Sequence, residues 1–186
     1  MILAATHRSV PAVPRNRSSL RRAVPVLAAL VAFLLPAPPA RADQTADWHA
    51  MLYSGPGLCV HGESQLVRRD TAVAGLWDAG LYPTAILGTF ATCTGALSTY
   101  TYRMMPVGWA AMDMQLLIWN GSAWAVCRDY GWTYNTFPVA STDLQASGLG
   151  LHPCGSGYYE VFAGFYAWDG SAWQGGWIWS GYLYSQ

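Results

Sequence analysis

The sequence of 186 residues contains no lysine. Its ten arginines supply all of the fixed positive charge, and six of them precede residue 43, whereas all ten acidic residues follow residue 42. Residues 43–186 therefore carry four arginines against ten carboxylates, a formal charge of −6. This balance argues against a nucleic-acid partner, because binding nucleic acid requires clustered Lys and Arg to replace the phosphate counterions.

The sequence also has no apolar run long enough to span a membrane. The run at residues 23–35 follows a segment with five arginines and no acid, and small residues ending in Ala-Arg-Ala follow it. This order is typical of a secretory signal peptide, so we predict cleavage after Ala42. The expected product is an extracellular single domain, residues 43–186, with no membrane contact after cleavage.

Motifs for nucleophilic catalysis are absent as well. The segment Gly-Ser-Gly at 155–157 lacks the Gly-x-Ser-x-Gly spacing of a hydrolase elbow. Three histidines follow residue 42, His49, His61 and His152, but no local pattern brings one of them beside a serine and an acid. We therefore assign no catalytic residue.

A metal site would need more ligands than the local sequence supplies. His61 and Glu63 could provide two ligands, with Asp70 or Asp78 as a third. Two ligands one residue apart in a glycine-containing segment are common by chance. We predict no metal and no other cofactor.

Paired carboxylates for sugar hydrolysis could come from Asp113, Asp129, Glu160 and Asp169. Asp169 belongs to a predicted turn, and no spacing brings any two of the other three together. Glycoside cleavage is therefore not favoured.

Aromatic residues are abundant instead. The chain has ten tryptophans, eleven tyrosines and 19 glycines, and every Trp and Tyr follows residue 42. So many aromatics with so few charges predict an all-β fold, an antiparallel sandwich or a small barrel built from hairpins.

One six-residue segment occurs twice, as Trp-Asn-Gly-Ser-Ala-Trp at 119–124 and Trp-Asp-Gly-Ser-Ala-Trp at 168–173. Asn-Gly and Asp-Gly are strong hairpin signals, because both tolerate positive φ in a tight two-residue loop. We predict a hairpin at each copy. In each hairpin the alternation places one set of side chains on the same side of the sheet. In the first hairpin this set is Leu117, Trp119, Trp124 and Val126, and in the second it is Tyr166, Trp168, Trp173, Trp177 and Trp179.

Four cysteines remain after the predicted cleavage, which indicates two disulfides in an exported chain. We favour the sequential pairing, Cys59 with Cys93 and Cys127 with Cys154; the other two pairings stay open.

The remaining elements follow from local patterns. Residues 43–54 fit either a helical turn or a first strand. Residues 57–64 are predicted to form a strand, followed by a stretch at 66–76 whose charged centre, residues 68–70, is expected to be a solvated strand face or a turn. Period-two alternation predicts strands at about 84–93 and 96–105, and the Pro- and Gly-containing segment 136–157 is expected to be a long irregular connection.

The two repeats, together with Pro-Cys-Gly-Ser-Gly-Tyr-Tyr at 153–159 and Gly-Gly-Trp-Ile-Trp-Ser-Gly-Tyr at 175–182, resemble segments of small secreted four-cysteine, Trp- and Gly-rich proteins of GC-rich Gram-positive bacteria. The resemblance covers about residues 55–186. It implies secretion and paired cysteines, and it implies no activity, because no function is assigned to that group.

The aromatic residues are the strongest functional lead. We expect Trp119, Trp124, Trp168 and Trp173 to pack in the core. The terminal strand carries aromatics at both alternating positions and cannot bury them all, so its candidate binding residues are Trp177, Trp179, Tyr182 and Tyr184. We predict a non-enzymatic domain that binds a glycan or a protein partner through these rings; the alternatives are a structural or matrix-type exported protein and, less favoured, a hydrolase or an inhibitor.

Overall fold

The computed structural model describes residues 43–186. The predicted signal peptide and its cleavage site after Ala42 lie outside the described residues. Within residues 43–186, no helix is long and apolar enough to cross a membrane.

Two five-stranded antiparallel sheets form the fold, and they are not closed into a barrel. The first sheet contains β1 (Gln44–Gly55), β2 (Leu58–Arg69), β3 (Gly80–Thr92), β4 (Thr101–Tyr102) and β8 (Ser141–Gln145). The second contains β5 (Ala110–Trp119), β6 (Trp124–Asp129), β7 (Thr133–Tyr134), β9 (Gly157–Trp168) and β10 (Trp173–Ser185). The strand orders are β1-β2-β3-β4, with β8 also on β3, and β10-β9-β5-β6, with β7 also on β5. The predicted all-β sandwich is confirmed.

Several predicted boundaries need correction. Of the two alternatives for residues 43–54, the first strand is confirmed as β1. The stretches predicted at 57–64 and 66–76 are joined in one strand, β2, which ends at Arg69 and leaves residues 70–76 outside it. The predicted strand at 96–105 is reduced to β4, because a 3-10 turn at Leu97–Thr99 interrupts it. The connection at 136–157 includes β8 and is otherwise irregular.

The core lies between the two sheets and is mostly aliphatic. Its largest fully buried side chains include two aromatic rings, Tyr159 and Phe165, with Leu58, Leu66, Leu81, Leu87, Met105, Met114 and Leu116. Each of the ten tryptophans retains some solvent exposure. The hydrophobic effect is therefore supplied mainly by Leu, Val, Met and Ala side chains from both sheets.

Polar contacts also join the two sheets. The hydroxyl of Ser64 on β2 donates to the carbonyl of Val161 on β9 at 3.2 Å. The buried guanidinium of Arg68 donates to the carbonyl of Tyr184 on β10 and binds the carboxylate of Asp70 at 2.5 Å. A buried charge needs such partners, so Arg68 fixes the end of β10 against the first sheet.

The disulfides are Cys59–Cys93 and Cys127–Cys154, which confirms the sequential pairing. The first connects β2 to the segment after β3, and the second connects β6 to the segment before β9. They span 34 and 27 residues of sequence. Loop closure of this size restricts the unfolded chain by about 3.5–4 kcal/mol for each bridge in the chain-entropy model.

Both predicted hairpins are present, but their loops are longer than expected. Trp119 pairs with Trp124 and Trp168 pairs with Trp173, so each loop has four residues instead of two. No non-glycine residue among those described has positive φ, so a two-residue loop with positive φ at Asn120 does not form. The Asn120 side chain builds the turn instead: its Oδ1 accepts the backbone N–H groups of residues 122 and 123 at 3.0 and 2.9 Å.

The predicted hairpin faces are nevertheless confirmed. Trp119 lies opposite Trp124, and Leu117 lies opposite Val126, so all four side chains share one face. The observed pairing differs from the predicted pairing by two residues, and a shift of two keeps every side chain on its face. The second hairpin follows the same rule.

Candidate functional site

The outward face of the second sheet is covered by aromatic side chains. Alternate residues of β9, among them Tyr159, Val161 and Phe165, are buried in the core. Their neighbours along the strand therefore point away from the core. We call this surface the aromatic face; its members are Trp119, Trp124, Trp132, Tyr134, Tyr158, Phe162, Tyr166, Trp168, Trp173, Trp177, Trp179, Tyr182 and Tyr184.

The four binding residues predicted from the sequence all lie on β10 and belong to this face. Trp179, Tyr182 and Tyr184 are exposed, and Trp177 is half-buried. A bulge between Trp179 and Tyr182 places one extra residue on β10 and keeps Tyr182 on the same side as Trp179, opposite Glu160. The strand thus presents a row of rings from residue 177 to residue 184.

Phe162 of β9 organises the middle of that row. Its ring lies 4.6 Å from the Trp177 ring and 4.0 Å from the Trp179 ring, at interplanar angles of 21° and 26°. Near-parallel stacking of this kind holds both indoles in place without hydrogen bonds. Phe162 was not predicted to belong to the site.

Trp177 and Trp179 also line a groove beside β1. This groove of about 410 Å³ contains Trp48 and Asp47 of β1, together with Ser180 of β10. Trp48 is 61% exposed. We call it the edge groove. It combines three indole rings with the carboxylate of Asp47, whereas the Ser180 hydroxyl is buried and already bonded to Val161 and Gly181.

A second hollow lies on the aromatic face next to Trp177, whose ring contacts Trp132. It has a volume of about 240 Å³ and is lined by Trp132, Tyr134, Tyr166 and Trp173 above Ala111. We call it the aromatic slot. Trp132 and Tyr134 were not predicted as site residues, because the two-residue strand β7 shows no periodicity and Trp132 lies in the short connection before it.

The predicted core role of four tryptophans is wrong. Trp119 and Trp173 are exposed, and Trp124 and Trp168 are only partly buried. Trp119 packs edge-to-face on Trp124, and Trp168 packs in the same way on Trp173, at ring distances of 5.6 and 5.8 Å. These pairs flank the two turns on the outside of the sheet, where the core does not reach them.

Two buried carboxyl groups lie among the aromatic rings. Asp113 and Glu160 occupy outward positions of β5 and β9, yet each is only 5% exposed. Oδ1 of Asp113 and Oε1 of Glu160 have no hydrogen-bond partner. Burial raises the pKa of Glu160 to about 7. Burial, and then the nearby charge of Asp129, raises the pKa of Asp113 above its usual range.

The other two carboxylates considered for sugar hydrolysis, Asp129 and Asp169, lie in different surroundings. Asp129 lies on β6 opposite Gln115, near enough to Asp113 for its charge to be felt. The sequence pattern did not predict this proximity, because a register shift in the β5–β6 pairing sets it. Asp169 accepts hydrogen bonds from the turn that it begins, and these bonds hold its pKa well below the usual range.

The hypothetical metal ligands are not assembled. Asp70 binds Arg68 in an ion pair, and no group of three or more His, Cys, Asp or Glu residues within 43–186 could hold a metal ion. The ring of His61 lies 5.8 Å from that of His49. Burial lowers the pKa of His61, the His49 charge lowers it further, and Glu63 opposes both effects.

Comparison with known proteins gives no relative: no family model matches the chain, and no curated protein or solved structure matches it significantly.

Proposed function

We propose that this chain is a non-catalytic binding domain and that its edge groove binds a glycan. The observation that carries the proposal is the composition of the groove, in which Trp48, Trp177 and Trp179 line a space that also contains Asp47. Sugar rings have apolar faces that stack on aromatic rings and hydroxyl groups that donate hydrogen bonds to a carboxylate such as Asp47. The volume of about 410 Å³ lies within the range of small-molecule sites.

The row of rings along β10 extends this site. Tyr182 and Tyr184 continue from Trp179 on the same side of the strand. The distance from residue 177 to residue 184 is roughly 20 Å in an extended strand. A surface of that length suits an oligosaccharide whose consecutive units contact successive rings.

The negative charge of the domain restricts which glycans can bind. The described residues carry a formal charge of −6, and Asp47 lies in the groove itself. Acidic polysaccharides would be repelled, so neutral or amino sugars are the expected ligands.

A glycan array with the purified, disulfide-bonded protein tests the proposal. We expect binding to neutral or amino oligosaccharides, and we expect Trp179→Ala to weaken it at least tenfold, since truncating a central tryptophan removes a large share of binding energy. Tyr182→Ala should weaken it less. The matched control is Tyr102→Ala, because Tyr102 is 66% exposed and Tyr182 is 64% exposed, but Tyr102 lies on the first sheet.

An array without a ligand would contradict the proposal and favour a structural exported protein. Binding that survives Trp179→Ala and Trp48→Ala would contradict the location of the site.

We also propose that the domain is secreted. The two disulfides fit an oxidising compartment, and the order of basic, apolar and small residues before residue 43 supports export. N-terminal sequencing of the protein from culture medium should begin at Asp43. Retention of residues 1–42 in the cell-associated protein, with none in the medium, would contradict secretion.

A further inference from the structure

The aromatic slot has a geometry that differs from that of the edge groove. Its walls are two edge-to-face pairs, Trp132 with Tyr166 at 5.5 Å and Tyr134 with Trp173 at 5.9 Å. The interplanar angles are 61° and 63°. Rings tilted in this way enclose a rounded group from several directions, whereas a flat sugar ring is held best against one broad aromatic face.

The floor of the slot is Ala111, a small residue that pairs with Tyr166 on β9 and with Tyr134 on β7. Because the floor has only a methyl group, the four rings around it leave a space of about 240 Å³. This volume is below the range of drug-sized sites, so it accommodates one compact group.

The electrostatics of the slot favour a cation. An aromatic ring carries negative charge density on its face and attracts organic cations, Trp most strongly. No arginine lines the slot, and lysine is absent from the chain. The formal charge of −6 on the described residues adds a long-range attraction.

A buried carboxyl group lies in the next row of the same face. Asp113 follows Ala111 by two residues on the same side of β5, and its Oδ1 has no hydrogen-bond partner. Asp113 lies opposite Gly164, which the ring of Trp177 crosses, and Trp177 in turn contacts Trp132 of the slot at 5.7 Å. The row of Asp113 is thus in contact with the slot through Trp177.

We propose that the aromatic slot binds a small organic cation with a methylated ammonium head, of the size of choline. The four rings supply cation–π contacts, and the surrounding negative charge supplies the attraction that draws the cation to the site. This site is separate from the edge groove, so it goes beyond the proposed glycan function and stands or falls independently.

Choline and its neutral isostere 3,3-dimethylbutan-1-ol test the inference by titration against the intact protein, followed by NMR or calorimetry. The two molecules share a shape, but only choline carries a charge. We expect choline to bind about tenfold or more tightly than the isostere, because two or more cation–π contacts are lost with the charge. Equal affinity would show an apolar hollow and overturn the proposal.

Substitutions in the aromatic slot test whether choline binds there. Tyr134→Ala should weaken choline binding about tenfold, whereas Tyr134→Phe should retain most of it, since the ring and not the hydroxyl makes the contact. Tyr102→Ala is the matched control, because Tyr102 is similarly exposed but lies on the first sheet, and it should leave choline binding unchanged. Unchanged affinity in Tyr134→Ala, with a folded protein by circular dichroism, would contradict the assignment.

Two further outcomes are distinguishable. Binding to phosphatidylcholine vesicles without binding to free choline would overturn the small-molecule ligand. Loss of glycan binding in Trp179→Ala with choline binding retained would support two sites, whereas joint loss of both ligands in that variant would contradict their separation.

Discussion

The indole of Trp177 on β10 lies across Gly164 on β9. A Cβ atom built on Gly164 would come within 2.9 Å of the indole ring, which is closer than side chains pack. The absence of a side chain at 164 therefore permits Trp177 to lie low on the sheet. In that position Trp177 contacts Phe162 on one side and Trp132 on the other, and so connects the edge groove to the aromatic slot.

The first prediction concerns this contact. Gly164→Ala should lower the free energy of unfolding by about 1–2 kcal/mol, because the added methyl group must displace a stacked indole. Urea denaturation measures the change. Gly176→Ala is the matched control, since a Cβ there would meet only Leu52, at 3.7 Å. In a Trp177→Ala background the loss should disappear; an equal loss in both backgrounds would show that the contact is not its cause.

The second prediction concerns the buried carboxyl of Glu160. Its pKa is raised to about 7, whereas the unfolded chain has the ordinary value near 4.5. Between these values the folded protein holds a proton that the unfolded chain has released, so stability should fall as pH rises from about 4.5 to 7. Above pH 7 the loss is complete, on the order of 2–3 kcal/mol.

Glu160→Gln removes this titration. The variant should match the parent protein near pH 4.5 and be more stable than it at pH 8, as measured by urea unfolding at both values. Parallel stability curves for the two proteins across this range would contradict the assignment of the pH dependence to Glu160.

The third prediction uses the two related turns as mutual controls. Asp169 and Asn120 each accept the same backbone hydrogen bonds through Oδ1. The pKa of Asp169 is lowered, chiefly by the N–H of Ala172, so its charge stabilises the fold above the unfolded pKa near 4 and this stabilisation is lost as pH falls through the folded pKa.

Asp169→Asn should therefore lower the melting temperature at pH 7, and the difference from the parent should narrow in strong acid. Asn120→Asp should have the opposite effect at pH 7. Thermal melts at pH 7 and in strong acid check both variants. A deficit in Asp169→Asn that does not change with pH would show that the charge plays no part.

The hairpins could be predicted because each repeat combines a turn signal with alternation. Their loop length could not, because the side chain of Asn120 or Asp169 provides the turn in place of a strained backbone. The wrong loop length did not change the predicted face of any side chain, because a shift of the strand pairing by two residues keeps each side chain on the same face. The favoured disulfide pairing links cysteines that follow one another in sequence: Cys59 on β2 bonds to Cys93 just after β3, and Cys127 on β6 bonds to Cys154 in the connection before β9.

The direction of the faces could not be predicted. On β9 the two alternating sets are both apolar, with Tyr158, Phe162 and Tyr166 in one set and Tyr159, Val161 and Phe165 in the other. Periodicity separates the sets but does not say which one meets the opposite sheet. The core is filled mainly by aliphatic side chains from both sheets together with the rings of Tyr159 and Phe165, and the rings of the other alternating set lie on the outer face.

The fourth prediction follows from the position of the tryptophans, including the four that the sequence predicted to be core residues and that lie outside the core. Since none of the ten tryptophans is fully buried, acrylamide should quench most of the tryptophan fluorescence of the native protein while both disulfides are intact. Reduction and unfolding should then add little further quenching.

A glycan in the edge groove should protect Trp48, Trp177 and Trp179 and so reduce the quenched fraction, whereas choline in the aromatic slot should protect Trp132 and Trp173. Protection from acrylamide that persists until reduction would place the indoles in a core and remove the basis for both binding sites.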